Sequence, residues 1–281
     1  MRRFDFPISF WLPLRLMFGL IKPRVKILGQ EFSGEIEAVG KEVKQFRQGD
    51  RVFAPTDAGF GAYAEYICLP ATHTISIKPA NMTFEEAATV PVGGLNALHF
   101  LRKGNVQRGQ KVLINGACGG IGTIAVQLAR LSGAEVTAVD SASKLNVLRS
   151  LGADKAVDYM QEDFTRNGER YDVIIDIVGK SPFKRSVKSL TKNGRYVLGN
   201  PRLPGMLKGI WTSLFSSKKV IVALAGYKTE DLEYLKDLIE QGKIKAVIDR
   251  NYPLDQISEA HTYVETGMKT GNVVINVGQI D

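Results

Sequence analysis

The first third of the chain alternates apolar and polar residues in short stretches. Glu31 to Val39 (EFSGEIEAV) places Phe32, Ile36 and Ala38 on one face, the period of a half-buried strand. Gly34 within it predicts a bulge or a close backbone approach, and Gly40 ends it. Gln48-Gly49-Asp50 is a turn, and Arg51 to Ala54 is the next strand. Gly59 to Gly61 turns the chain again into Ala62 to Leu69 (AYAEYICL), a third alternating run. Short strands at this spacing predict a small β-barrel or sandwich. The period then changes. Thr83-x-x-Glu86 is a capping box that opens a helix through Ala87 and Ala88, Pro91 interrupts it, and Leu95 to Leu101 continues helically.

From residue 111 onward, strand and helix signals alternate. Lys111 to Asn115 reads as a buried strand, Ile121 to Leu131 as a helix and Glu135 to Val139 as a strand. Lys144 to Leu151 is the next helix, and Ala156 to Tyr159 a short strand. Tyr171 to Val178 (YDVIIDIV) is apolar on both faces, as in the middle of a parallel sheet. Arg195 to Leu198 and Lys219 to Ala225 bring the count to about six strands. This order predicts a doubly wound α/β sheet. Leu232, Leu235, Leu238 and Ile239 form a helical stripe, and Val273 to Val277 returns to strand character near the end. The expected organisation is a β-rich module, residues 1–85 with 245–281, around a βαβ domain at 86–244.

Composition narrows the class. The 281 residues are 44% hydrophobic and 23% charged, which excludes a disordered or collagenous chain. Two cysteines exclude a disulfide framework and a four-thiol zinc site. The formal charge of +8 attracts anions, but the basic residues are scattered along the chain as on a solvated surface. Arg2 and Arg3 before an apolar run imitate a signal peptide. Asp5, Arg15 and the lack of a small-x-small cleavage site argue against one. Pro7, Pro13 and Arg15 also leave this run too interrupted to span a bilayer, so it reads as an apolar loop or short helix, with interfacial membrane contact as the alternative. A cytoplasmic protein without stable membrane insertion or a specific nucleic-acid partner is expected.

The sharpest local signal is Asn115-Gly116-Ala117-Cys118-Gly119-Gly120-Ile121-Gly122, between a strand and a helix. That is the context a dinucleotide-binding turn requires. Gly119 lets backbone approach a pyrophosphate, Gly122 lets helix and strand pack closely, and the helix N-terminus offers free N–H groups to phosphates. Ala117 stands where the strict fingerprint has its first glycine. The rival reading is a glycine-rich turn without ligand. Asp140 ends the second strand, 18 residues beyond Gly122, where a carboxylate can accept both ribose hydroxyls of an adenosine. Methyltransferases share these two features, but the β-module ahead of the fold and the six-strand pattern count against them.

Three stretches carry a resemblance. The first is Leu28 to Gly34 (LGQEFSG), followed by Val39-Gly40 and Gly49-Asp50-Arg51-Val52-Phe53; the second is Ala87 to Leu95 (AATVPVGGL) leading into the glycine-rich loop; the third is Gly152-Ala153-Asp154 with Asp158-Tyr159. Ile248-Asp249-Arg250, Tyr252-Pro253-Leu254, Glu259-Ala260-His261 and Gly271-Asn272-Val273-Val274 fit as well. The chain resembles zinc-independent members of the medium-chain dehydrogenase/reductase superfamily, in the quinone oxidoreductase branch. The resemblance implies a Rossmann domain and a GroES-like β-barrel catalytic domain with the active site in the cleft between them. It also implies strands ahead of Met1, so the barrel is expected to be incomplete. Gln30 stands where zinc-dependent relatives have a histidine ligand, and no metal is expected. Cys118 lies at a helix N-terminus, which can lower a thiol pKa, although packing is its expected role.

The chemistry implied is hydride transfer from a reduced nicotinamide to a quinone, an enone or a related carbonyl compound. The alternative is a nucleotide-binding protein with little or no catalysis. A basic RNA- or membrane-binding role on the same fold is a third reading. Tyr63 and Asn96 are the candidate catalytic residues, with Thr89 at the nicotinamide end. The cofactor set is Thr89, Ala117, Gly119, Gly120, Ile121, Gly122, Asp140, Ser141, Lys144, Tyr159, Val178 and Leu198. Ser141, Lys144 and Tyr159 match positions that hold the 2′-phosphate in NADP-using relatives, whereas Asp140 favours NADH. NADPH is the expected cofactor, with NADH as the alternative. A homodimer through the edge strand at Lys219 to Ala225 is also expected.

Overall fold

In the computed structural model, residues 24–278 apart from 57, 58 and 202, with 16, 19 and 22, are described. The apolar start of the chain lies almost wholly outside them. Strands β1 (Glu31–Glu35), β2 (Arg51–Pro55) and β3 (Ser76–Ile77) form an antiparallel sheet in that order. Helices α1 (Phe84–Ala88) and α2 (Pro91–Gly104) lead into β4 (Lys111–Asn115) and α3 (Gly120–Leu131). Then come β5 (Glu135–Asp140), α4 (Leu145–Ser150), β6 (Lys155–Asp158), β7 (Tyr171–Asp176), α5 (Phe183–Lys188) and β8 (Leu190–Leu198). The chain continues through α6 (Leu203–Phe215), β9 (Lys219–Val222), α7 (Thr229–Glu240), β10 (Ile248–Pro253), α8 (Ile257–Glu265) and β11 (Asn272–Asn276).

The six-stranded sheet is parallel, with order β6-β5-β4-β7-β8-β9. Val112, Leu113 and Ile114 are fully buried, because the strand period of two sends them to opposite faces that are both covered. Val112 and Ile114 pack with Leu95, Leu98 and Leu101 of α2 and with Ile124 and Leu128 of α3. Leu113 packs with Tyr171, Ile174 and Tyr196 on the other face. Each such side chain contributes about 1.5–3 kcal/mol by burial. The strand order reverses at β4, and in open α/β sheets the ligand crevice lies at that switch point, at the C-terminal ends of the strands.

Several boundaries differ from the sequence reading. The run Ala62 to Leu69 is not a strand. Gly61, Ala62 and Tyr63 instead donate single backbone bonds to Leu28 and Gly29, and alternation cannot by itself supply a partner ladder. β1 stops at Glu35, since Ala38 and Val39 are exposed rather than covered. Pro91 does not interrupt a helix but opens α2, where its missing N–H costs nothing. Lys144 ends a 3-10 turn (Ala142–Lys144) that precedes α4. Helix α6 carries no signal in the expected pattern. It faces the sheet with small residues, Gly209 against Val220 and Ser213 hydrogen-bonded to Val220, and turns its large apolar residues outward.

Candidate active site

The glycine-rich turn is built by positions that tolerate no side chain. Gly116 has φ +83°, and a Cβ there would lie 2.4 Å from Val178 Cγ2. At Gly122 a Cβ would lie 2.3 Å from the Gly116 carbonyl oxygen, so only glycine lets α3 start this close to β4. The Gly116 and Ala117 N–H groups both donate to Val139 O, at 3.1 Å, tying the turn to β5. Gly119 is the extended N-cap of α3 and supplies no side-chain cap. The first N–H groups of this twelve-residue helix therefore have no side-chain cap. A Cβ at Gly119 would find only the Gly116 oxygen, at 3.8 Å, whereas at Gly120 it would meet Asn272 Oδ1.

Asp140 is engaged on both oxygens. Oδ2 accepts the Cys118 N–H at 2.9 Å and Oδ1 accepts the Ser141 N–H at 2.9 Å. Lys144 Nζ stands 3.3 Å from Oδ1, with both side chains about a tenth exposed, and donates to Gly267 O at 3.1 Å. Lys144 is thus not a solvated helix residue but the buried partner of Asp140. Tyr159, well exposed, donates its N–H to Asp140 O and completes the rim with Ser141. Val178 lines the turn beside Gly116. Leu198 is not presented to the crevice by its side chain, which is buried in the second core, and its carbonyl accepts the Ala223 N–H.

The other candidates lie about the three-stranded module and the two helices that follow it. A cavity of about 1980 Å³ there is lined by Phe32, Phe60, Tyr63, Thr89, His261 and Asn272, among others. Thr89 is buried and caps α1 through its hydroxyl, which donates to Glu86 O at 2.8 Å. Asn96 donates to Val92 O at 2.8 Å and to the Tyr227 hydroxyl at 2.9 Å, fixing its amide on α2. Tyr63 stands edge-on to His261 with ring centroids 5.9 Å apart. Burial, and then the neighbouring Glu31 carboxylate, push the Tyr63 hydroxyl up, so it stays protonated.

Glu31 escaped the sequence reading. Its Oε2 accepts the Val92 N–H at 2.8 Å, in the first turn of α2, and so ties β1 to that helix. Burial pushes its carboxyl up to about 7, against the opposing pull of the Val92 N–H, the Lys269 cation and the Gly93 N–H. The one signal for it was an acidic residue on the strand face opposite Phe32 and Ile36. Cys118 is fully buried in the core, in keeping with a packing role. Burial, and then Asp140, push its thiol up to about 11, overriding the helix N-terminus. Among the described residues no three or more His, Cys, Asp or Glu side chains converge as metal ligands, and no helix is long and apolar enough to cross a membrane.

Comparison with known proteins agrees with this arrangement. Residues 14–79 match the alcohol dehydrogenase GroES-like domain, and residues 151–275 match the zinc-binding dehydrogenase family. A 2-methylene-furan-3-one reductase of Solanum lycopersicum is 32% identical over 96% of this chain and 68% of its own length. A chloroplast envelope quinone oxidoreductase homolog of Arabidopsis thaliana is 32% identical over 93% of this chain and 84% of its own. The quinone oxidoreductase of Coxiella burnetii superimposes with a TM-score of 0.84 at 29% identity, covering 98% of this chain and 87% of that one. The parallel six-stranded sheet, the uncapped glycine-rich turn and these matches together place the chain in the medium-chain dehydrogenase/reductase superfamily, in its quinone oxidoreductase branch.

Proposed function

We propose that the chain is an NAD(P)H-dependent reductase that delivers hydride to a quinone, to the β-carbon of an enone or to a related carbonyl compound, without a metal. The observation that carries this reading is the N-terminus of α3, without a side-chain cap and set behind Gly119 at the C-terminal end of β4. The residues present fit a dinucleotide. The turn leaves room for phosphate at Gly119, the free N–H groups favour anions, and Ser141, Lys144 and Tyr159 ring the outer rim. Hydride chemistry is what a reduced nicotinamide supplies when bound.

The chain's own residues orient and enclose. Thr89 lines the cavity that Tyr63 also lines, and Asn96 is held on α2 by Tyr227. A conjugated acceptor spreads negative charge onto its oxygen as hydride arrives, so a Lewis acid is dispensable. Tyr63 is the candidate proton donor to that oxygen, and solvent is its alternative. We assign NADPH because Lys144 provides a cation at the rim. We also assign the catalytic domain to residues 1–85 and 245–281, the nucleotide-binding domain to 86–244, and the location to the cytoplasm.

A homodimer belongs to this proposal. β9 is an edge of the sheet, and beside it α6 exposes Leu207, Ile210, Trp211, Leu214 and Phe215, the last at 75%. Trp211 and Phe215 stack at 5.1 Å. A second copy pairing along β9 would cover both the edge and this face. The deciding experiment measures dinucleotide binding and quinone-dependent NADPH oxidation on one preparation. Binding with turnover supports the reading, and binding without turnover across quinones and enones rejects catalysis.

A further inference from the structure

Glu31 and Tyr63 line one cavity from two segments of the three-stranded module. Tyr63 donates its N–H to Leu28 O at 2.9 Å, just ahead of β1. Gly29 has φ +92°, and a Cβ there would lie 2.9 Å from Tyr63 Cδ1. Only glycine therefore lets the tyrosine ring lie against the backbone two residues before Glu31. The ring also stands edge-on to His261 of α8. Glu31 is held in turn by the Val92 N–H, with its side chain still partly exposed.

The surroundings of the carboxyl favour its protonated form. β2 places Pro55 opposite Glu31 in the ladder, and α2 offers it the Val92 and Gly93 N–H groups. On α1, Glu86 accepts the Thr83 N–H, and Glu85 lines the cavity together with Glu265 of α8. Lys269 is the cation that acts on Glu31, and its ammonium donates to Gly271 O. With its carboxyl raised to about 7, Glu31 holds a proton up to neutral pH. A tyrosinate beside a carboxylate is unfavourable, so Tyr63 gives up its proton most easily while Glu31 is still protonated.

We infer that Glu31 is the proton reservoir behind Tyr63. This inference rests on the reductase reading above, with Tyr63 as proton donor. Hydride addition at the β-carbon of an enone leaves an enolate, whose oxygen needs one proton. The Tyr63 O–H bond breaks as the new O–H bond forms, and the enol relaxes to the saturated ketone. The tyrosinate takes the proton of Glu31, directly or across one water, and the carboxylate is reloaded from solvent in the cavity. Each enone consumes one hydride and one proton, and both side chains end as they began. Glu31 does not touch the acceptor; it acts through Tyr63.

The test compares wild type, Glu31→Gln, Tyr63→Phe and the double variant in single-turnover reduction of cyclohexenone by NADPH, on both sides of pH 7. The wild-type rate should fall as pH rises through about 7, approaching about tenfold per pH unit, as the carboxyl loses its proton. Tyr63→Phe should lower the rate at acid pH about a hundredfold. Glu31→Gln keeps an acceptor for the Val92 N–H, yet it should lower that rate about tenfold or more and abolish the fall above pH 7. The double variant should be no slower than Tyr63→Phe, because the two groups act as a unit. Tyrosinate absorbance gives a readout without turnover. Read as the difference from the matching Tyr63→Phe form, Tyr63 should titrate at lower pH in Glu31→Gln than in wild type. A flat wild-type profile, a Glu31→Gln rate that still falls above pH 7, additive losses in the double variant or an unmoved Tyr63 titration would each overturn the inference. Wild type that reduces neither cyclohexenone nor a quinone would sink the reductase reading and this inference with it, and that result is visible before any variant is compared.

Discussion

Replacing Asp140 should do more than change cofactor preference. From sequence alone, Asp140→Ala removes a ribose acceptor, weakens NADH and spares NADPH. In the fold the same carboxylate holds the Cys118 N–H of the glycine-rich turn and neutralises Lys144, with both side chains about a tenth exposed. Removing one partner of a buried pair costs about 3–5 kcal/mol, and the partial exposure argues for the lower end, about 3 kcal/mol. For a chain of this size that lowers the melting temperature by roughly 6–12 °C. Asp140→Asn keeps an acceptor for the Cys118 N–H but leaves Lys144 uncompensated, whereas Asp140→Ala loses both interactions. The double variant Asp140→Asn/Lys144→Met should recover much of the loss, with a coupling energy of about 1.5 kcal/mol or more. Urea unfolding followed by circular dichroism of wild type, Asp140→Asn, Lys144→Met and the double variant gives the four stabilities of the cycle. Fluorescence titration of Asp140→Ala should show NADH and NADPH weakened together. A coupling below about 0.5 kcal/mol, or NADPH binding untouched in Asp140→Ala, would refute the idea that this pair organises the turn.

Other outcomes follow from single contacts. Gly122→Ala puts a methyl 2.3 Å from the Gly116 oxygen, so α3 must shift. It should cost about 1–3 kcal/mol by thermal unfolding and lower the affinity for both dinucleotides. Glu31 has its folded carboxyl raised from 4.5 to about 7, so the folded state binds more protons than the unfolded state in that window. Stability should therefore fall as pH rises from about 4.5 to about 7, and Glu31→Gln should flatten that slope in urea midpoints at pH 5 and pH 7.5. Phe215→Glu on the exposed face of α6 should convert a dimer to a monomer in light scattering; a wild type that is already monomeric at tens of micromolar counts against the proposed interface.

The α/β alternation, the glycine-rich turn and the capping box were legible because their causes are local. Lys111–Asn115 and Tyr171–Asp176 read as buried strands from apolar runs alone, and Thr83 and Glu86 meet each other's backbone N–H within three residues. The turn at Gly116 to Gly122 was readable because a positive φ and close helix–strand packing demand glycine wherever they occur. Tertiary structure decided what these pieces touch. Asp140 and Lys144 are four residues apart in sequence, but only the fold turns the pair toward Cys118 and Gly267. Glu31 meets Val92 across 61 positions, and Lys269 comes to the turn because β11 and the segment before it return to lie on α3. The Ala62 to Leu69 run had a strand's alternation without a strand's partner, and α6 had a helix's length with its apolar face reversed. Periodicity reports which faces of a segment differ. Which face is covered, and which charge meets which, depends on chain segments far away in sequence, and only their packing settles it.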